Sequence, residues 1–114
     1  MTKDPNVFLT HISNEIVRIE KFINGYTDEM FYRDEKLYYA VLRSFEIIGE
    51  ASKKLSEEFR QNHPKVFWRA LASTRNFLIH EYYDVDLSEI WRTIHEDLPK
   101  LKVQIQDILN VGKD

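Results

Sequence analysis

Apolar residues recur at steps of three and four along almost the whole chain, the repeat that gathers them on one face of an α-helix. Phe8, Leu9, Ile12, Ile16, Ile19 and Ile23 make the first such stripe. Asp4 stands before it as an N-cap, and Pro5 takes the first helical position, where a missing N–H removes no bond. Asn24-Gly25 ends it, and Thr27 to Tyr32 predicts a short turn of helix leading to Asp34. A second long helix is expected from about Asp34 to Arg60, burying Tyr38, Val41, Leu42, Phe45, Ile48, Gly49, Ser52 and Leu55. Glycine within that stripe predicts a close approach by another helix. Asn62-His63-Pro64 breaks the chain, and a central helix follows from Lys65 or Trp68 to Tyr83. Asp86, three residues before Glu89, reads as a capping-box start for the last stripe, Leu87, Ile90, Trp91, Ile94, Leu98, Leu101, Ile105 and Ile108. That stripe keeps its phase through Pro99, which predicts a last helix kinked at the proline or two that abut. The expectation is an all-α, up-and-down bundle of four main helices, one domain spanning residues 1–114.

The central helix breaks the pattern it otherwise follows. Trp68, Leu71, Ala72, Leu78, Ile79 and Tyr82 share one arc of its wheel, and Arg75 sits in the middle of that arc. An unpaired guanidinium is too costly to bury, so Arg75 must meet a carboxylate, a subunit interface or an anionic ligand. Ser73, Asn76, His80 and Tyr83 form a polar seam on the adjoining flank, with groups that donate, accept and titrate near neutrality rather than the Lys and Glu of a solvated face. On the second helix Arg43, Glu46 and Glu50 lie along one stripe. They are either ordinary helical ion pairs or, for Glu46 or Glu50, the partner that orients Arg75 across the interface.

Composition narrows the choices. A chain of 114 residues holds one core, and 31% charged residues with only 3 Gly and 3 Pro favours long helices. The chain has no Cys, which removes disulfides, thiolate catalysis and cysteine metal sites together. No apolar run reaches the roughly 20 residues that span a bilayer and no secretory signal is apparent, so no membrane association and a cytoplasmic location are expected. The net charge of -3 argues against indiscriminate nucleic-acid binding. Its distribution is uneven: Lys53 to His80 carries six Lys or Arg against two Glu, and Glu81 to Pro99 carries six acids against Arg92 alone. The two strips either face solvent, pairing with each other across the bundle, or mark a functional surface. No Gly-rich phosphate loop and no H-E-x-x-H is present, His11 and His63 read as surface and turn residues, and no metal site is expected.

Arg75-Asn76, then His80, Glu81 and Tyr82, spell R-N-x-x-x-H-x-Y. This resembles the signature of HEPN-domain proteins of the HepT type, the toxin halves of HepT/MntA toxin-antitoxin pairs. Arg43 to Ala51 is similar to that family's second helix and Glu96 to Pro99 to its last, so the resemblance covers essentially the whole chain. It implies a dimeric, metal-independent endoribonuclease acting on RNA, tRNA included, with no cofactor. Arg75 and His80 would be the catalytic pair and Asn76 their polar support. It also implies a cognate MntA-type nucleotidyltransferase antitoxin that silences the site by placing AMP on a tyrosine, matched here by Tyr82, with Tyr83 the adjacent alternative.

The residues allow that chemistry on their own terms. Arg75 and His80 are about 140° apart around one helix and cannot both point straight at one atom, but they can flank a cleft. With two copies of the helix crossing about a dyad, each subunit would contribute an Arg and a His to a shared groove of a homodimer. An imidazole, ordinarily titrating at about 6.5, suits proton transfer at a ribose 2′-hydroxyl or a leaving oxygen, and a guanidinium suits the charge that builds on phosphate oxygens. The rival reading is a non-catalytic HEPN module that holds nucleotide or RNA beside a nucleotidyltransferase, and a third is a plain dimerising scaffold.

Overall fold

The computed structural model of the protein describes residues 4–110. Asp4 caps the first helix, α1 (Pro5–Ile23), its carboxylate accepting from the Asn6 N–H at 2.9 Å. Leu9, Ile12, Ile16 and Ile19 on its inner face are wholly buried. The helix stops at Asn24, and Gly25 turns the chain with φ 81°, in the left-handed region that a side chain disfavours. Thr27 then caps α2 (Asp28–Arg33), which plugs Phe31 into the core.

Asp34 closes α2 and opens α3 (Glu35–Lys54), accepting from the Leu37 N–H at 3.0 Å and from the Tyr26 hydroxyl at 3.0 Å. The expected continuous helix to Arg60 is divided. Leu55 turns to extended backbone and Ser56 accepts from the Phe59 N–H to cap a separate α4 (Glu57–Asn62). The apolar stripe hides this break, because Leu55 stays buried as the chain turns.

The central helix, α5, runs Trp68–His80, and the chain then tightens into a single 3-10 turn over Tyr82–Asp84. It therefore ends earlier than its periodicity predicts. Of its expected apolar arc Trp68 and Leu78 are buried, whereas Ile79 is exposed and Tyr82, carried off the helix by the turn, is 73% exposed. Asp86 caps α6 (Leu87–Glu96) through the Ser88 and Glu89 N–H groups. The Glu89 carboxylate goes to Arg92 instead of closing a reciprocal box. Helix α7 (Leu98–Asn110) begins after one residue, Asp97, which keeps right-handed helical angles. Two abutting segments thus continue one another across Pro99, in the second position of α7, where its missing N–H is tolerated.

Helix α3 lies at the centre, with α1 on one side and α5 on the other; α7 returns against α1, and α6 packs on α7 and α2. The described residues contain helices and turns and no strand. No helix among them is long and apolar enough to cross a membrane.

Candidate functional site

What fixes the place of Arg75 is the glycine opposite it. A methyl group at Gly49 would lie 2.6 Å from the Leu71 carbonyl oxygen and would collide with the Arg75 Cβ, so α5 can approach α3 this closely only over a glycine. At that distance the Arg75 guanidinium lies along α3. Its Nε is 2.9 Å from Oε2 of Glu50. The N–H does not point along that line, so this solvent-excluded oxygen has a charge neighbour without an aligned hydrogen bond. Nη1 donates to Asn76 Oδ1 at 3.1 Å, and Nη2 has no protein partner among the described residues.

Of the two candidate partners for Arg75, the carboxylate that meets it is Glu50, which also lies 4.0 Å from Lys54. Glu46 pairs with Arg43 at 3.2 Å along the exposed side of α3. All five charged groups border a cleft of about 360 Å³. Helix α3 forms its floor through a stripe from Arg43 to Lys54, α5 contributes Arg75 and Ile79, and α1 contributes Phe8 and His11. His11, which the sequence offers only as a surface residue, is indeed exposed, yet it borders the same space as Arg75. No local spacing could have shown this, since α3 brings the two together from distant parts of the chain.

His80 does not line that cleft. It is the exposed last residue of α5, with no hydrogen-bond partner among the described residues, and Asn76 is exposed on the same flank. The seam read from the sequence is divided: Ser73 borders a second groove, Asn76 and His80 are exposed on α5, and Tyr83 lies in the 3-10 turn. Within one chain Arg75 lines the cleft and His80 does not, although the Nη1 of Arg75 reaches Asn76, one turn before His80.

The two tyrosines beyond His80 are both exposed, with rings edge to face at 5.7 Å. The Tyr83 hydroxyl donates to Glu81 at 2.5 Å, which holds its pKa above the ordinary phenol value, with partial desolvation adding to the effect. No hydrogen bond of this kind engages the Tyr82 hydroxyl among the described residues.

The acidic strip does not pair with the basic one. Arg92 draws in Glu89, Glu96 and Asp97 on α6 and at its end, and this raises the Arg92 pKa further. The ion pairs of the basic strip with α3 instead converge on Glu50. The second groove, about 780 Å³, runs between α5 and the α6–α7 pair, with Phe67 and Phe77 on its wall and a rim that includes Asp84, Asp86, Glu89 and Asp97.

Among the described residues no three of His, Asp and Glu gather in a way that could hold a metal ion. Against known proteins, a family model described as "Ribonuclease HepT-like" matches residues 12–108. The chain is 42% identical over 111 residues to a protein of Caldanaerobacter subterraneus subsp. tengcongensis named as a "Putative RNase", covering 97% of this chain and 99% of that one. It is 39% identical over 108 residues to the "Probable ribonuclease HepT" of Thermococcus cleftensis, covering 95% and 98%. A Methanocaldococcus jannaschii protein named as a "Gamma-glutamylcyclotransferase and putative RNase" is 39% identical over 109 residues, covering 96% of this chain and 49% of that one. No solved structure matches the chain.

Proposed function

The chain belongs to the ribonuclease HepT-like family, and we propose that it is a toxin-type endoribonuclease whose active site is shared between the two chains of a homodimer. The observation that carries this is an arginine and a histidine on one helix, each with a polar edge that no group among the described residues takes up. Arg75 sits half-buried in a cleft with one terminal nitrogen unpaired, while His80 stands free on the outer flank of the same helix. In a homodimer whose two copies of α5 meet about a dyad, the Arg75 and His80 of both chains can border one shared groove.

The reaction that suits such a pair is transesterification at an RNA phosphate. His80 takes the proton from the ribose 2′-hydroxyl as its oxygen bonds to phosphorus. The bond to the 5′-oxygen breaks, and an imidazolium returns a proton to that oxygen, leaving a 2′,3′-cyclic phosphate and a 5′-hydroxyl. Arg75 binds the non-bridging oxygens as charge builds on them, held at its Nε side by Glu50 and at Nη1 by Asn76. None of these steps uses a metal ion, and the need for a 2′-hydroxyl restricts the substrate to RNA, tRNA included. Purified protein should therefore cut RNA in EDTA. Arg75→Ala and His80→Ala should each lower the rate by about 10²–10⁴-fold, and undiminished cleavage by either variant would exclude the assignment.

The companion of such a toxin is a nucleotidyltransferase antitoxin of the MntA type that transfers AMP to Tyr82. What supports Tyr82 is its exposure and its place two residues beyond His80, where a bulky anionic adduct obstructs RNA by size and by charge. Tyr83, with its hydroxyl engaged by Glu81, is the less available of the two. Tyr82→Phe should keep cleavage within about twofold of the parent, as expected of an exposed residue outside the reacting groups, and escape silencing. Labelling and inactivation of that variant by the antitoxin would move the acceptor elsewhere.

A further inference from the structure

The Arg75 cleft has a wall that the catalytic reading leaves without a task. Helix α1 contributes Phe8 and His11 to it, one turn apart, and brings no Lys or Arg. Their rings lie 6.3 Å apart at 84°, so together they make a corner: the face of one ring and the edge of the other. A flat heterocycle fits such a corner, stacking on one ring and meeting the edge of the second, and stacking of this kind serves any base. The imidazole adds a donor and an acceptor for the base edge. Across the α3 floor lies Arg75 with its unpaired Nη2; Arg43 and Lys54 stand at the two ends of the floor, and Glu46 and Glu50 offset part of the charge. The α5 side of the cleft thus suits an anion and the α1 side an aromatic ring. Its volume, about 360 Å³, is at the small end for ligand sites, enough for one small ligand and too little for a duplex.

We propose that this cleft seats a single nucleotide of the RNA, with its phosphate at Arg75 and its base against Phe8 and His11. Helix α1 is then the part of the protein that meets the base beside the bond being cut. The identity of the ligand rests on the ribonuclease reading; the division of the cleft into an anion side and a ring side does not.

The test is therefore a binding measurement, kept apart from cleavage. The full chain is titrated with each of the four nucleoside 5′-monophosphates and, separately, with inorganic phosphate. Wild-type protein should bind the best of the nucleotides at least tenfold more tightly than phosphate. His11→Ala, at an exposed position, and Phe8→Leu, which keeps apolar bulk but removes the ring, should each weaken nucleotide binding about tenfold and leave phosphate binding unchanged. Arg75→Ala should weaken both. Equal affinity for nucleotides and phosphate, no binding of either by the wild type, or wild-type nucleotide affinity in either His11→Ala or Phe8→Leu would overturn the proposal. RNA cleavage by the same preparations is scored on its own. A wild type that binds nucleotide as described yet cuts no RNA sinks the nuclease reading alone, and one that cuts RNA with His11→Ala unaltered in nucleotide affinity sinks the pocket alone.

Discussion

A charged residue in the middle of an apolar arc is legible as an anomaly, but the sequence cannot say what resolves it. For Arg75 three resolutions were open, and Glu50 on α3 is the protein partner that meets the Nε side, leaving Nη2 for something outside the chain. Gly49 was readable as a point of close approach because a glycine in a buried helical stripe has few other uses. Its exact role, admitting the backbone of Leu71 and the Cβ of Arg75, needed the fold. Gly49→Ala consequently should force α5 away from α3, costing about 1–3 kcal/mol despite the better helix propensity of alanine. A thermal melt should show a midpoint lower by about 5–15 °C. Because the displaced residue is Arg75 itself, RNA cleavage should fall further than the loss of folded protein explains. A melt at or above that of the parent would mean the two helices can separate without cost.

At the scale of the elements, caps were the most readable signals. Asp4, Thr27, Asp34 and Asp86 each accept backbone N–H groups at the start of a helix, as short polar side chains do there. Helix ends were less readable. Ser56, followed by Glu57 and Glu58, carries the same start signal, but the apolar stripe running through Leu55 masks it, and one expected helix becomes α3 and α4. Likewise periodicity extends α5 to Tyr83, whereas the chain leaves the α-helix at Glu81, and this delivers Tyr82 to solvent instead of the core. The cap of α6 makes a pH prediction. The Ser88 hydroxyl and the Glu89 and Ser88 N–H groups hold the Asp86 carboxyl below its ordinary 3.8, outweighing the opposing effect of desolvation. A carboxylate lowered in the folded state binds protons less readily than in the unfolded chain, so its stabilising contribution is complete above pH 3.8 and is lost as pH falls through the lower, folded value. The urea midpoint should decline on that acid limb. Asp86→Asn, which can still accept at the cap but cannot titrate, should decline less steeply, and parallel limbs for the two proteins would refute the assignment.

On the scale of the whole molecule, α5 packs chiefly on α3, and between it and the α6–α7 pair lies the apolar groove bordered by Phe67 and Phe77. The arrangement of the bundle was legible because four amphipathic stripes joined by short breaks admit few ways to bury their faces. What was not legible is which surfaces α5 leaves open, since that depends on how far α6 and α7 lean towards α1. The proposed homodimer has a test that a single-chain site fails. Arg75→Ala and His80→Ala protein, each inactive alone, are unfolded, mixed in equal amounts and refolded. If every site takes its arginine from one chain and its histidine from the other, a mixed dimer has one site with both residues intact and one with neither. Half of the dimers formed at random are mixed, so the mixture should recover about a quarter of wild-type RNA cleavage. If instead each chain supplied both groups to its own site, every site in the mixture would lack one of them, and activity would stay at the level of the separate variants.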